Sequence, residues 1–376
     1  MKITSIDIWT VVVPAIPDRV NSPEYGPAGW DDVPKHIFRL NTDEGVSGLG
    51  ETKRGESIDH VRAGFERLKG RDPRSLSLQH IFTDRAVSRE SSSGARDWES
   101  LGGWPGGPAY DAFEIAIYDI VGQTLGLPVH ALLGGAYRDR VEVDYWMGRQ
   151  NPEDSARSAR RGFEEGYHGI KMKCTSDDPM VDRIRAILEA TNASFKCTVD
   201  PNQRFYRPSE AIALARAFEA FGNVAVLEDP MAKWNLDWYR QLRDATSIQV
   251  ALHLSNPHDI INAIKAEAVD CMNLVGSMAQ FVKNAAIADA AGLPIWHGSG
   301  CDLGIVETSY LHAISVARNC VLPSDLVGSF VREDDLIAEG LRIERGQARV
   351  PDTPGLGCEL DVQAVERYSV GQEQIN

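Results

Sequence analysis

The chain predicts an α/β protein: a parallel (β/α)8-type barrel preceded by a smaller α+β region. Eight short apolar runs, at 141–146, 169–174, 195–200, 224–228, 248–254, 269–274, 293–297 and 320–325, recur at intervals of roughly 20–29 residues. Segments with helical periodicity separate nearly all of them, at 155–165, 180–190, 209–221, 257–266 and 280–291. Several of these close on glycine (Gly166, Gly222, Gly292), favoured just past a helix end because it takes up positive φ without strain. A doubly wound open sheet would share the alternation, but no glycine-rich phosphate fingerprint follows any strand.

The region before the barrel reads in order as follows. Residues 1–13 form a strand, and 35–41 and 46–53 form a hairpin across Thr42-Asp43-Glu44-Gly45, whose Asp and Gly suit a tight turn. Between them, 21–32 holds Pro23, Gly26, Pro27, Gly29 and Trp30, the composition of a long covering loop. A helix is expected over 57–68. A second irregular segment follows at 84–107, polar and then rich in Gly and Trp. Residues 108–125 carry an apolar helical face through Ala112, Ile115, Ala116 and Ile120, and Gly126 stops it. The expected division is 1–125 as an α+β domain and 126–326 as the barrel. The tail 327–376 is expected to return and pack on the first domain.

Composition narrows the function. With 376 residues, 43% hydrophobic and 25% charged, this is the profile of a globular protein with a large core. A net charge of −15 without clustered Lys and Arg argues against nucleic acid as a partner. An anionic small substrate stays open, because a metal ion and local lysines can reverse the field inside a pocket. The six scattered cysteines form no CxxC pair and read as free thiols. No apolar run approaches membrane-spanning length, and the N-terminus lacks a cleavage pattern, so a cytoplasmic protein without a membrane partner is expected.

The chemistry concentrates between 167 and 230. Lys171 and Lys173 sit two apart on one strand and so share a face. A solvent-facing pair would be the bland reading, but a barrel strand has no solvent face, and buried lysines are rare unless paired or functional. A lysine beside another cation has a lowered pKa, as a general base near neutral pH requires. Asp200 follows Lys171 by 29 residues and Glu228 follows Asp200 by 28, each ending a strand. Their carboxylates can converge on one point, as a Mg²⁺ site needs. Either acid alone would read equally well as turn or helix-cap chemistry.

These residues resemble the enolase superfamily, in its mandelate racemase and muconate lactonizing enzyme branch. Gly169-Ile-Lys171-Met-Lys173 is similar to that family's KxK strand, Asp200-Pro-Asn202 to its DxN and Leu227-Glu-Asp-Pro230 to its ExP. Thr42-Asp-Glu-Gly…Gly50-Glu51 resembles its capping-domain hairpin. The stretch Ala116–Arg138 is similar to its signature entering the barrel, and Pro354–Asp361 to its tail. The resemblance implies an N-terminal α+β capping domain on a modified TIM barrel. It implies Lys173 as the base with Lys171 beside it, Asp200 and Glu228 as ligands of Mg²⁺, and Asn202 in support. The loop with Trp30 would cover a small carboxylate substrate, and homo-oligomers are common in the family.

Three strands depart from the pattern. Where a third acidic ligand is expected the chain has Leu254, with His253 as neighbour; an imidazole suits Zn or Ni better than Mg and would serve only if the strand bulged or slipped. In Cys271–Met278, directly after Asp270, neither a second lysine nor an aspartate appears. On the seventh strand Trp296 is expected to line the pocket, and His297 or Asp302 to serve as an acid. With one lysine pair and no opposite partner, the expected activity is metal-dependent dehydration of a hydroxy or sugar acid through an enediolate. A racemase or epimerase of an α-substituted carboxylate or amino-acid derivative is the alternative, and a non-catalytic ligand-binding barrel the third reading.

Overall fold

The computed structural model describes residues 1–16, 19–27, 29, 32–82 and 106–376. Trp30 and nearly all of 84–107 lie outside the described residues. The N-terminal region is an antiparallel sheet built from β1 (Ile3–Val11), β2 (Lys35–Thr42) and β3 (Ser47–Glu51), with β14 (Ser369–Ile375) on the outer side of β1. The tail thus returns to the first domain as an edge strand, Ile8 opposite Glu373. Helices Ile58–Leu68 and Tyr110–Leu125 cover one face of this sheet. Ile6 and Ile8, Phe38 and Leu40, and Phe65 and Phe113 are all buried there. The helix comes so close that a Cβ on Gly48 would lie 2.1 Å from the Ala116 carbonyl oxygen, so only glycine permits this packing.

Seven parallel strands form the curled sheet: β5 (Tyr145–Met147), β6 (Gly169–Lys173), β7 (Lys196–Asp200), β8 (Val224–Glu228), β9 (Gln249–Leu254), β10 (Cys271–Leu274) and β11 (Ile295–His297), each beside the next in sequence. The expected first run divides in two. Its start, β4 (Arg140–Glu142), turns away to pair antiparallel with β13 (Gln347–Arg349), which also pairs with the short β12 (Ile343–Glu344). The eighth run, 320–325, closes the ring without becoming a full strand. Cys320 bridges to Ile295 and Ser324 to Val143, and Pro323 between them has no N–H to give a ladder. The Asp325 N–H donates to the His297 carbonyl (2.9 Å) and the Ser324 N–H to that of Glu142 (2.8 Å), joining the two edges.

Two longer helices of the barrel region escape the sequence reading, Leu236–Ala245 and Gly304–Ser315, besides short ones such as Val362–Tyr368. The second shows why: all of its residues except Tyr310 are buried, so it has no polar face to give periodicity.

One contact between the domains carries a pH prediction. Glu114, on helix Tyr110–Leu125, is completely buried and accepts the Ser277 hydroxyl (2.9 Å) at the start of helix Met278–Ala290. Burial, aided by Asp111, pushes its carboxyl up to about 8 from an ordinary 4.5. Between those values the native state holds a proton that the unfolded chain has lost. Glu114 therefore contributes stability that is fully present below pH ~4.5 and lost as pH rises through ~8. Glu114→Gln cannot titrate. Urea unfolding at pH 5 and pH 8.5 is expected to show the wild type losing a few kcal/mol more than the variant over that interval.

Candidate active site

Strand alternation places the site. Along β6 to β11 the side chains of Lys171, Lys173, Asp200, Glu228, His253, Asn273 and Trp296 point to the barrel interior. Leu227, Leu252, Leu254, Met272 and His297 point to the helices. Beneath the charged residues Val226, Ala251, Cys271 and Trp296 make a small apolar floor.

Lys171 is the hub. Its ammonium lies 2.6 Å from Asp325 Oδ2, 2.7 Å from Glu228 Oε2 and 3.4 Å from Asp200 Oδ2, with its side chain 3% exposed. It also stands 6.0 Å from the centre of the Trp296 ring, a cation over an aromatic face. Burial pulls its pKa down, but Asp325, Glu228 and Asp200 outweigh that and hold it well above the ordinary lysine value. Lys173 pairs with Asp200 and is 26% exposed, so it alone of the two reaches the open side. Asp200 and Glu228 are driven apart. Burial would raise both, but Lys173 and Lys171 hold Asp200 low, while burial and the charge of Asp200 raise Glu228.

The strand ends are pinned by backbone. The Asn202 N–H donates to Asp200 Oδ1 at 3.0 Å with Asn202 in the left-handed region (φ 46°), so its main chain rather than its exposed side chain supports Asp200. Asp229, also left-handed (φ 44°), accepts the His253 N–H at 2.9 Å and the Lys233 ammonium at 2.6 Å. Asn273 donates to Glu228 Oε1 at 2.8 Å. His253 Nδ1 lies 3.7 Å from the same oxygen. Burial, then Lys171 and Lys233, depress its imidazole to about 3, so the ring is neutral.

The expectation that Leu254 occupies the third ligand position is corrected by the register. Asn273 pairs with His253 across β9 and β10, both facing inward, while Leu254 is 7% exposed in the core between sheet and helices. No bulge is needed: the alternation from Ala251 brings His253 to the interior. The carboxylates of Glu228 and Asp229 and the His253 imidazole, at the ends of β8 and β9, are the donors close enough together to hold a divalent cation among the described residues. Oxygens of Glu228 and Asp229 and a ring nitrogen of His253 all lie within 4.8 Å of one another.

Two expected acid groups are placed apart from this cluster. His297 lies on the outward side of β11, 1% exposed, its ring centre 4.5 Å from that of Phe281 and 4.0 Å from that of Tyr310. Burial lowers it to about 4. Asp302 is a latch between domains: Oδ1 meets Lys35 Nζ of β2 at 2.8 Å, and Oδ2 accepts the Tyr310 hydroxyl (2.8 Å) and the Gly300 N–H (2.9 Å). Its backbone loop still borders the site. A cavity of about 590 Å³ between the domains is lined by His253, Ser255, Ser299, Asp302 and Tyr310 from the barrel and by Lys53 from the first domain. Asp325, Asn273 and Asp144 were not anticipated. Asp325 ends the eighth apolar run as Asp200 ends its own, which was the legible signal. Asp144 is buried beside Thr198, and burial, then Asp325, raises its pKa well above normal.

The described part of the expected covering loop is docked on the first strand–helix connection of the barrel. Its Ser22 N–H donates to the Arg149 carbonyl (2.9 Å), its Ser22 hydroxyl accepts the Asn151 N–H (2.9 Å), and Arg149 stacks 4.5 Å from the Tyr25 ring centre.

Residues 154–365, more than half of the chain, match the "Enolase C-terminal domain-like" family, and residues 32–134 match the "Mandelate racemase / muconate lactonizing enzyme, N-terminal domain". The chain belongs to the enolase superfamily. Among curated superfamily members, N-succinyl-L-Arg/Lys racemase of Bacillus cereus is 26% identical over 99% of both chains. A chloromuconate cycloisomerase of Cupriavidus pinatubonensis is 26% identical over 90% of this chain and 92% of its own. The crystal structure of the Bacillus cereus racemase covers both chains in full with a TM-score of 0.81 at 24% identity. That of L-Ala-D/L-Glu epimerase from Bacillus subtilis covers 95% of this chain and 99% of its own, with a TM-score of 0.78 at 24% identity. These likenesses support the barrel fold, and superfamily membership makes the protein an enzyme, so the purely ligand-binding alternative is set aside. The relatives are racemases, epimerases and cycloisomerases, which favours isomerisation over the expected dehydration. No helix among the described residues is long and apolar enough to cross a membrane.

Proposed function

We propose that this enzyme isomerises an α-substituted carboxylate or amino-acid derivative, as a racemase or epimerase, by removing the α-proton to give an enediolate and adding a solvent-derived proton to its opposite face. The observation that carries this reading is the unequal exposure of the two lysines on one strand. Lys171 is locked among carboxylates at 3% exposure, while Lys173, at 26%, opens toward the site. Lys173 then acts as general base. Asp200, Glu228 and His253 hold the divalent cation, Mg²⁺ in the superfamily at large. When bound, such an ion stabilises negative charge on the substrate carboxylate. Asn202 steadies Asp200 through its N–H, and Trp296 supports Lys171 from below. Asp302 lines the cavity and His297 packs behind Tyr310, and neither is assigned to the reacting atoms. The substrate is a small carboxylate, and the setting is cytoplasmic.

Dehydration of a hydroxy or sugar acid remains the second reading for one specific reason. Among the described residues, the interior faces of β9, β10 and β11 present His253, Asn273 and Trp296, with no second lysine. Exchange in D₂O separates the two. Incubation with a panel of N-acylated amino acids and sugar acids, followed by NMR and by 2-keto-acid detection, is expected to show α-deuteration with loss of optical purity. A 2-keto acid without α-deuterated substrate would replace isomerisation by dehydration.

A further inference from the structure

We propose that this protein's metal centre is a mixed nitrogen–oxygen site in which the His253 imidazole takes the place of a third carboxylate, so that it selects a borderline first-row ion such as Co²⁺ or Zn²⁺ over Mg²⁺. This rests on the reading above, that these strand ends hold a divalent cation.

Register comes first. His253 and Asn273 are paired interior residues, and Leu254 is turned into the hydrophobic core. The interior face of β9 therefore ends on an imidazole and carries no carboxylate. Distance comes second. His253 Nδ1 lies 3.7 Å from Glu228 Oε1. Two ligands of one ion with bonds of about 2.0–2.2 Å are at most ~4.4 Å apart, so a single ion can bridge this pair without backbone movement. The surroundings come third. Asp229 is already satisfied by the His253 N–H (2.9 Å) and the Lys233 ammonium (2.6 Å). The same lysine holds the His253 carbonyl at 2.7 Å. Asp229 and Lys233 thus fix the backbone that carries the ring, and Glu228 is steadied by Asn273 at 2.8 Å. On the adjacent strand Asp200 shares the Lys171 ammonium with Glu228, at 3.4 and 2.7 Å, so both carboxylates already converge on one cation. Two carboxylates and an imidazole differ from the all-oxygen octahedron that Mg²⁺ demands. Imidazole suits Zn, Ni, Cu and Fe better.

Chelator-treated protein and its His253→Asp variant, each titrated with Mg²⁺, Mn²⁺, Co²⁺ and Zn²⁺ alone, test this by calorimetry and thermal melting. Transition ions outbind Mg²⁺ at many sites, so the decisive quantity is how the Co²⁺:Mg²⁺ affinity ratio changes. It is expected to fall by at least tenfold in His253→Asp, and the visible Co²⁺ absorption to shift with loss of the nitrogen ligand. A second variant, His253→Gln, is expected to weaken Co²⁺ at least tenfold with Mg²⁺ little changed, which covers the case of a variant that folds poorly. Equal ratios in wild type and both variants, with an unshifted Co²⁺ spectrum, would overturn the imidazole ligand and leave the metal-dependent reading intact. If no ion alters the melting or gives heat with the wild type, the metal-dependent reading itself fails, and this inference with it.

Discussion

Lys173→Met is expected to lower the rate of α-proton exchange by about 10²–10⁴-fold, the usual contribution of a positioned general base. The side chain is partly open and its charged partner, Asp200, retains Lys171 at 3.4 Å, so the fold should tolerate the change. Substrate affinity should move little, because a base acts on the proton in the transition state rather than on ground-state binding. Single-turnover exchange in D₂O with Tm monitored in parallel checks this. Exchange within threefold of wild type would remove Lys173 from the chemistry. Lys171→Met makes the contrast. That ammonium neutralises Asp200, Glu228 and Asp325 at 3% exposure, so its loss should reduce Tm as well as rate.

Lys35→Met should destabilise the protein by about 3–5 kcal/mol, the cost of breaking a buried ion pair and leaving its carboxylates uncompensated. Lys35, 2% exposed on the N-terminal sheet, meets both Glu51 and Asp302. Glu51 also accepts the N–H groups of Leu303 (2.8 Å) and Val306 (2.9 Å) at the start of helix Gly304–Ser315. Burial pulls the Lys35 pKa down, but Asp302 and Glu51 reverse this, and the ammonium in turn holds Asp302 low. One cation therefore ties the first domain to the loop that borders the cavity. The double variant Lys35→Met/Asp302→Asn should recover part of the loss, because a neutral amide in place of the carboxylate would need no cation and could still accept from Tyr310. Urea unfolding of both variants measures it. A single variant within ~1 kcal/mol of wild type would show that the latch is not what joins the domains.

Much of the site was legible because barrel chemistry writes itself into spacing. Lys173, Asp200 and Glu228 end successive strands, and parallel strands in one ring bring successive ends together whatever the helices between them contain. Alternation within a strand also placed Lys171 and Lys173 on a common face. On β9 motif alignment set Leu254 at the expected position with His253 as its neighbour, whereas the register turns His253 inward and Leu254 toward the helices. A one-residue error in strand register exchanges the two faces of the strand.

What the sequence by itself determined is the fold class, the superfamily and the half of the site carried on β6 to β8, since each depends on local pattern and regular spacing. What only the tertiary structure decided is everything that depends on which distant groups meet. Asp325 reaches Lys171 because the eighth segment closes the ring, 154 residues away in the chain. Asp302 becomes an interdomain latch because Lys35 enters from 267 residues away. His297 turns outward and His253 inward because hydrogen-bond register, not residue type, sets the face of a strand. Contacts between residues so far apart leave no periodic trace in the chain, because long-range proximity is set by packing of whole elements rather than by local propensity.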